Sequence, residues 1–265
     1  MILSGVQTVG RFAQQFLTDA GLLWRLLIAT GNRLFLGKFQ GYRFRFRATL
    51  QQSVRAGFDS LPLVGLISVL VGMIVAFQLA YQLGKMGATS MVGSLVAITV
   101  TRELAPLLTA IIMAGRYGSA ITAELGTMKV SQELDALTMM GIDPIAFLVV
   151  PRLLALIITL PCLIIFADTI GILGGMIVGV GTLGLGPGGY LASSLDALQL
   201  RDLFTGLVKA VGFGAIIGLV GCQQGLSTLG GAEGVGRSTT TSVVHSIVLI
   251  IGADLFVTAL FYLGD

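Results

Sequence analysis

The sequence predicts an all-α integral membrane protein with five transmembrane helices. Of its 265 residues, 55% are hydrophobic and only 11% are charged, whereas soluble domains carry about 25% charged residues. Its apolar runs are long enough to cross a bilayer, which requires about 20 residues each. The 37 glycines are consistent with closely packed membrane helices. If the third apolar run were two segments, the number of spans would be six.

Residues 1–58 are predicted to lie at the membrane surface, before the first span. Apolar residues recur at helical spacing while charged residues take other faces, which predicts an amphipathic interfacial (elbow) helix. A helix packed in a soluble-type core is the alternative. The basic segment Arg33 to Arg55 suits a cytoplasmic approach to the first span, and its aromatic residues favour a bilayer surface over nucleic acid. The apolar residues of the helix are Val9, Phe12, Phe16, Ala20, Leu23 and Leu27.

Residues 59–265 form the predicted transmembrane domain. The stretch Arg116 to Pro151 is more polar and predicts a loop with its own short helix, and Gln223 to Ser242 predicts a second polar connection. Leu191 to Asp202 is predicted to lie outside the hydrocarbon. The spans are Leu61 to Leu83, Met91 to about Gly115, Leu153 to Leu185, Leu203 to about Gly225, and Val243 to Leu263.

Glycine spacing predicts where two of these spans approach their neighbours. Small residues at every fourth position form a flat helix face that lets two backbones come close. Pro161 can also kink the third span. The glycines are Gly171, Gly175 and Gly179 in the third span, and Gly214 and Gly218 in the fourth.

The distribution of positive charge predicts the orientation in the membrane. With the N-terminus in the cytoplasm, Met1 to Ser60 carries eight Lys and Arg residues and the two later cytoplasmic connections carry four. The opposite side then carries only Lys85 and Arg201. Because cytoplasmic segments are enriched in Lys and Arg, we expect the N-terminus inside and the C-terminus outside.

Five charged side chains lie within the predicted spans. Each costs about 3 kcal/mol at the centre of a membrane helix, so such residues usually pair or face a wet cavity. Lys209 with Glu103, and Asp254 with Arg102 or Lys209, are candidate pairs. They form either a structural lock or a substrate contact, and the sequence leaves both open. Asp168 has no assigned partner and is expected near water at the outer end of its span.

Nothing in the sequence predicts catalysis. No G-x-x-x-x-G-K-[ST] motif occurs, so we do not expect this chain to hydrolyse ATP by itself. The single histidine, His245, and the cysteines Cys162 and Cys222 do not follow a metal-ligand or nucleophile spacing. The chain is therefore not expected to be an enzyme, to bind a metal or to hold a cofactor.

A short amphipathic helix is predicted after the second span. Val130, Leu134, Leu137 and Met140 recur at spacings of three and four, and Gly141 follows them. Such a helix either docks in the groove of a partner subunit or folds back on its own membrane domain. Composition alone does not choose between the two.

At these residues the sequence resembles the MlaE family of permeases, including its plastid TGD-type relatives, which belong to lipid-trafficking ABC systems with MCE proteins. The resemblance extends from Leu61 to Leu263. The segments that carry it are Thr101 to Pro106, Gly115 to Gly126, Glu133 to Pro144, and Arg237 to His245.

The resemblance implies a homodimeric, non-catalytic permease that moves phospholipid. Its partners would be a separate ABC ATPase that binds ATP-Mg, an MCE-domain protein on the periplasmic face and, in some systems, a STAS-domain protein. It would lie in the inner membrane of a diderm bacterium, or alternatively in the plastid inner envelope. Residues 117–150 would form the coupling-helix loop. The coupling residues would be Arg116, Glu124, Glu133, Leu134, Leu137, Met140 and Gly141.

The family also has a lipid cavity between its two protomers, lined by the first, second and fifth spans. The intramembrane charges Arg102, Glu103, Lys209 and Asp254 match charges of the family, whereas Asp168 departs from it. A second cytoplasmic contact would lie at Gly231 to Thr241. The cavity walls implied here are Leu70, Ile74, Phe77, Gln78, Leu79 and Leu104.

Two other function classes compete with this interpretation. An ion-coupled secondary transporter or channel would use the intramembrane charges as an ion path, although inverted repeats and matched broken helices are not evident in the sequence. A membrane scaffold would only anchor an MCE assembly. Reconstitution with an ATPase or with an ion gradient distinguishes the three.

Overall fold

The computed structural model describes residues 21–33 and 45–262 of the chain. Within these ranges the chain is helical, without strands, and five helices are long and apolar enough to cross a membrane. The all-α prediction and the count of five spans are confirmed. Of the predicted interfacial helix, the part from residue 21 onward is present as α1 (21–33), and residues 1–20 and 34–44 lie outside the described ranges.

The first two spans are both longer than a bilayer needs. The first rises from α2 (Phe46–Gly57) through a 3-10 turn (Phe58–Ser60) into α3 (Leu61–Lys85). The second is continuous over 42 residues, or about 60 Å. It comprises α4 (Val92–Thr99), α5 (Ala105–Met113) and α6 (Ser119–Val130), joined by π-helical turns at Val100–Leu104 and Ala114–Gly118.

The remaining helices complete the bundle. The short α7 (Glu133–Met139) follows the second span, and a π-helical turn (Ile145–Val149) leads into α8 (Val150–Leu183). Helix α8 is one continuous helix through Pro161, which settles the number of spans at five. Then come α9 (Pro187–Ala197), α10 (Leu200–Leu226) and α11 (Gly231–Tyr262).

Two predicted connections are far shorter than expected. The second span continues in helix to Val130, so the loop predicted at Arg116 to Pro151 is reduced to the turns on either side of α7. The polar connection predicted at Gln223 to Ser242 is helical except for residues 227–230. Polar residues do not end a helix when it continues beyond the hydrocarbon, and this is why hydropathy ended the second span too early and began the fifth span too late.

Helices α8 and α10 form the centre of the bundle, and the spans α3 and α11 lie at its outside. In the most apolar windows of α8 and α10, 61% and 56% of residues are buried, against 17% in those of α3 and α11. One core cluster surrounds Ile121, Leu156 and Phe213, and a second surrounds Val96 and Tyr190. We call the two ends of the bundle the α7 end and the α9 end.

The predicted glycine contacts are confirmed. A Cβ atom at Gly72 of α3 would overlap the carbonyl oxygen of Gly171 in α8. Those at Gly175 and Gly179 would meet the side chain of Tyr190, and one at Gly214 of α10 would lie 2.9 Å from the carbonyl oxygen of Leu156. Glycine is therefore required where α8 touches α3, α9 and α10.

The segment predicted at Leu191 to Asp202 comprises the end of α9 and the start of α10. Helix α9 packs on α4, and the Ser194 hydroxyl, which is fully buried, donates a hydrogen bond to the Gly93 carbonyl oxygen at 3.1 Å. Gln199 and Asp202 form a capping box at the start of α10. Asp202, at the end of the segment predicted to lie outside the hydrocarbon, is the third residue of α10 and is fully buried within the chain.

Candidate functional site

Lys209 is the centre of a charge network that joins three spans. Its Nζ atom donates hydrogen bonds to Glu103 Oε2 at 2.9 Å and to the Arg102 carbonyl oxygen at 3.0 Å. It also lies 2.8 Å from Asp254 Oδ1 of α11. Thr258, one turn further along α11, donates to the second Glu103 oxygen at 3.0 Å. The structure therefore pairs Lys209 with both carboxylates that the sequence offered it.

Arg102 has a different partner from the one the sequence suggested. Its Nε atom donates to Asp202 Oδ1 at 2.7 Å, and the other Asp202 oxygen accepts a hydrogen bond from the backbone N–H of Gln199. Asp254 is therefore paired with Lys209 and not with Arg102. Among the described residues, the network contains two positive side chains, Arg102 and Lys209, and three negative ones, Glu103, Asp202 and Asp254.

The backbone of the second span sets the directions of Arg102 and Glu103. Both residues lie in the π-helical turn at Val100–Leu104, a geometry that is frequent at functional sites because it breaks the regular helical repeat. In this turn both adjacent side chains contact α10, Arg102 through Asp202 and Glu103 through Lys209. A regular helix would direct adjacent residues about 100° apart.

The network is closed on one side and open on the other. The Lys209 and Asp202 side chains are 0% and 1% exposed, whereas those of Arg102 and Glu103 are 32% and 38% exposed. The buried side chains of Lys209 and Asp202 each hold one of the two partly exposed side chains, Glu103 and Arg102 respectively, in place. Such neighbouring opposite charges suit a polar group that enters from the surface of the bundle.

Asp168 is buried near the middle of α8 and not at its outer end. The residue is 7% exposed, and its Oδ1 atom has no hydrogen-bond partner among the described residues. The expectation that it lies near water at the outer end of the span is therefore wrong. The apolar third span folds as one helix, so its middle lies deep in the bundle.

The residues implied as cavity walls do not share one surface. Leu70, Ile74 and Phe77 form a stripe along α3 and are 46%, 64% and 53% exposed. Gln78 is also exposed. By contrast, Leu79 packs against the core cluster of Val96 and Tyr190. Leu104 lines a separate narrow groove between α3, α5 and α8, with Ile67, Val71 and Ala167.

The short helix α7 folds its predicted apolar face inward. Leu134 is 5% exposed and Leu137 packs on the core cluster at the α7 end. Met140 remains 65% exposed, and Met139, which the sequence pattern missed, is 90% exposed. Leu134 and Leu137 therefore pack on the membrane domain of the same chain. Met139 and Met140 remain exposed and give α7 an apolar surface that a partner can contact.

Several coupling candidates hold the α7 end together. Glu124 was expected in the coupling-helix loop, but it lies in α6. Its carboxylate lies 2.8 Å from Arg152 of α8 and 3.8 Å from Arg55 of α2. Arg116 donates to the Ser60 hydroxyl and lies 3.7 Å from Asp59.

Two further coupling candidates border α7. Glu133 begins α7 and accepts a hydrogen bond from the Ser131 hydroxyl at 2.9 Å. Gly141 adopts φ +74° just after α7. This is the left-handed conformation that commonly ends a helix.

Comparison with known proteins assigns the chain to a family. The family model described as Permease MlaE matches residues 49–260. The chain belongs to the MlaE permease family. It is accordingly a multi-pass membrane protein of that family, and the match begins within α2 and ends two residues before the end of α11.

Several curated relatives of this MlaE-family chain align over most of its length. The intermembrane phospholipid transport system permease protein MlaE of Haemophilus influenzae is 33% identical over 99% of each chain. A probable ABC transporter permease of Synechocystis is 41% identical over 88% of each. The chloroplastic TRIGALACTOSYLDIACYLGLYCEROL 1 protein of Arabidopsis thaliana is 38% identical, over 84% of this chain and 63% of its own.

The sequence did not predict three residues of the candidate site, Asp202, Thr258 and Met139. Asp202 had a local signal, since Gln199 three residues earlier forms the spacing of a capping box, but its ion pair with Arg102 spans 100 residues of sequence. Thr258 and Met139 had no signal that separated them from other residues of their helices. Within residues 21–33 and 45–262, no group of three His, Cys, Asp or Glu residues is placed to hold a metal ion.

Proposed function

We propose that this chain is the membrane subunit of an ABC transporter that moves phospholipid between membranes. The observation that carries the proposal is the 33% identity, over 99% of both chains, with the permease of an intermembrane phospholipid transport system. The chain supplies the path for lipid, and ATP-Mg is bound and hydrolysed on a separate ATPase subunit. The other proposed partners are a second copy of the chain, an MCE-domain protein and, in some assemblies, a STAS-domain protein.

The open side of the charge network supports a role for it at the lipid headgroup. A phospholipid carries an anionic phosphate, which the exposed guanidinium of Arg102 can attract. Lys209 and Asp202 hold the two reachable groups in place from behind. The exposed apolar stripe of Leu70, Ile74 and Phe77 offers a surface for the acyl chains. In this proposal the intramembrane charges both hold the helices together and contact the substrate.

The ATPase is proposed to dock on α7 through Met139 and Met140. Methionine side chains are flexible and polarizable, which suits a contact that has to adapt during a cycle. Leu134 and Leu137 contribute by fixing α7 on the membrane domain. In this arrangement the N-terminus and α7 lie on the cytoplasmic side, in the inner membrane of a bacterium or the plastid inner envelope.

Replacing Met139 with Asp tests the docking surface. We expect Met139→Asp to abolish co-purification with the ATPase, because a carboxylate replaces the most exposed apolar side chain of α7 without touching the core. Met86→Asp is the matched control, since Met86 is 78% exposed but lies before α4 at the α9 end. If both variants retain the ATPase, the docking assignment is wrong.

Reconstitution tests the transport function. Proteoliposomes containing the chain and its ATPase should transfer fluorescent phospholipid to acceptor vesicles only when ATP-Mg is present. Transfer driven by an ion gradient without the ATPase would instead identify an ion-coupled transporter. No transfer under either condition, with the MCE protein present, would identify a scaffold.

A further inference from the structure

One carboxylate at the α7 end joins the surface helix α1 to the start of the third span. Arg33, the last described residue of α1, donates from Nε to Asp143 Oδ2 at 2.7 Å. The other oxygen, Asp143 Oδ1, accepts a hydrogen bond from the backbone N–H of Ile145 at 2.9 Å. Ile145 begins the π-helical turn that leads into α8. The Asp143 side chain is 14% exposed and the Arg33 side chain is 34% exposed, so the carboxylate is largely buried and the arginine is only partly so.

The same short segment also holds the start of α2. The Arg45 guanidinium lies 3.8 Å from the centroid of the Phe147 ring, a cation–π contact. Arg33 and Arg45 flank residues 34–44 of the chain and contact residues that are four apart, Asp143 and Phe147. The surface helix and the first span are therefore both fixed to residues 143–147.

Residues 143–147 are in turn tied to α7 by the way that helix ends. The N–H of Ile142 bonds to the Leu137 carbonyl oxygen at 2.9 Å, and the N–H of Gly141 bonds to that of Thr138 at 3.0 Å. With Gly141 at φ +74°, this is a Schellman motif, which ends a helix in one defined geometry. Asp143 follows Ile142 directly, so a displacement of α7 moves the carboxylate that holds Arg33.

We infer that the Arg33–Asp143 pair transmits the movement of α7 to α1, so that the surface helix belongs to the coupling apparatus. The inference rests on the proposed docking of an ATPase on α7. Helix α1 presents Trp24, Leu27 and Ile28, which are 64%, 44% and 45% exposed, and this apolar surface suits the bilayer interface. Arg33 and Asp143 are thus positioning residues that link ATP-driven movement of α7 to a helix at the lipid surface.

The Arg33–Asp143 ion pair can be removed without losing the hydrogen bond between Asp143 and Ile145 at the start of the π-helical turn. Arg33→Gln removes the positive charge and leaves Asp143 intact. Asp143→Asn removes the negative charge, while its amide oxygen can still accept the hydrogen bond from Ile145. Arg33→Lys keeps the charge and is the conservative variant. Arg25→Gln is the matched control, because Arg25 is an exposed arginine of the same helix.

The experiment measures ATP hydrolysis and phospholipid transfer in the same proteoliposomes of chain, ATPase and MCE protein. We expect Arg33→Gln and Asp143→Asn to lower transfer per ATP by about fivefold, the factor that corresponds to losing one modest interaction, with hydrolysis within about twofold of wild type. The double variant should be no worse than either single variant, because one contact is lost in all three. Arg33→Lys should retain much of the wild-type phospholipid transfer per ATP, and Arg25→Gln should leave this quantity unchanged.

Three results would overturn the inference. An unchanged ratio in both single variants, a parallel loss of hydrolysis and transfer, or additive losses in the double variant would each show that the pair only supports the fold. Failure of the wild-type chain to bind the ATPase would instead overturn the proposed function. Hydrogen exchange of residues 21–33 supplies the second measurement: ATPase binding should change their protection in wild type but not in Arg33→Gln, and the same change in both would contradict the inference.

Discussion

Lys209 shows how a single residue carries a full charge inside a membrane bundle. An ammonium group has three donor hydrogens, and three acceptors surround it: Glu103, Asp254 and the Arg102 carbonyl oxygen. Two of its hydrogens are donated in hydrogen bonds, and the ion pairs with Glu103 and Asp254 balance its charge, so full burial is tolerated. Without these partners, the same side chain would be costly at this depth.

Replacing Lys209 with Met should destabilise the protein strongly. The change leaves Asp254 and Glu103 facing each other without a cation, and breaking a buried pair costs about 3 kcal/mol or more. Thermal unfolding in detergent should show a clear drop in Tm, and adding Asp254→Asn should recover part of it. Lys85→Met, at an exposed lysine at the end of α3, should change stability by less than about 0.5 kcal/mol. Equal Tm values for the two lysine variants would refute the network's structural role.

Asp168 is the opposite case, a buried carboxyl whose Oδ1 atom has no hydrogen-bond partner among the described residues. A buried carboxyl in an apolar environment must either carry its charge away from water or take up a proton at neutral pH, and both cost free energy. The residue therefore lowers the stability of the bundle, which is a cost that proteins often accept at functional positions.

Asp168→Asn should raise the unfolding temperature. The amide has nearly the same volume but carries no charge, so we expect a gain of about 1 kcal/mol. Thermal unfolding at pH 8 measures it, with Asp196→Asn of α9 as a control at an exposed position. A lower Tm for Asp168→Asn would mean that the carboxylate has a stabilising partner in the assembled protein.

At the scale of helices, local backbone geometry decides which groups meet. The π-helical turn at Val100–Leu104 directs Arg102 and Glu103 to the same neighbour, α10. The Schellman motif after α7 fixes the direction of Asp143. Glycines at the α8 and α10 faces bring whole helices into backbone contact. Each of these local features covers one or two helical turns but determines which distant elements come into contact.

Gly214 and Gly212 of α10 provide a matched test of helix contact. Gly214→Ala places a Cβ atom 2.9 Å from the Leu156 carbonyl oxygen, whereas Gly212→Ala meets nothing within 4 Å. We expect Gly214→Ala to destabilise the bundle by about 1–3 kcal/mol, as overpacking does. Gly212→Ala should be neutral or slightly stabilising, because alanine favours helix over glycine. The difference in Tm between the two variants is the measurement, and a reversed order would exclude a tight α8–α10 contact.

At the scale of the whole molecule, α8 and α10 form the buried centre of the bundle, and α3 and α11 lie on its outside with few buried residues. Only 17% of the residues in the apolar windows of α3 and α11 are buried within the chain, which suits contact with lipid or with a second copy. The α7 end carries the ion pairs of Glu124, Arg116 and Asp143. The concentration of Arg and Lys residues at this end predicts that it faces the cytoplasm.

Cysteine labelling tests this orientation. In a background with Cys162→Ser and Cys222→Ser, Met86→Cys should react with a membrane-impermeant maleimide added from outside. Leu229→Cys, in the connection between α10 and α11, should react only after permeabilisation. Both native residues are exposed, at 78% and 81%, so accessibility within the chain is matched. Labelling of Leu229→Cys in intact cells would reverse the topology.

The sequence predicted the spans better than it predicted the site. Apolar run length located all five spans, and glycine spacing located the faces of α8 and α10 that pack. The pairing of Lys209 with Glu103 was also among the candidates. The connections at Arg116 to Pro151 and Gln223 to Ser242 were overestimated, because hydropathy reports the edge of the hydrocarbon and not the end of a helix.

What the sequence determined by itself was the all-α membrane fold and its five spans, since hydrophobic length and small-residue spacing are local properties of the chain. Only the tertiary structure decided that Arg102 pairs with Asp202, that Leu134 and Leu137 face inward, and that Arg33 reaches Asp143. These contacts join residues far apart in sequence, or depend on which face of a helix is covered. The physical reason is that burial and ion pairing depend on how helices pack, and no local pattern records that packing.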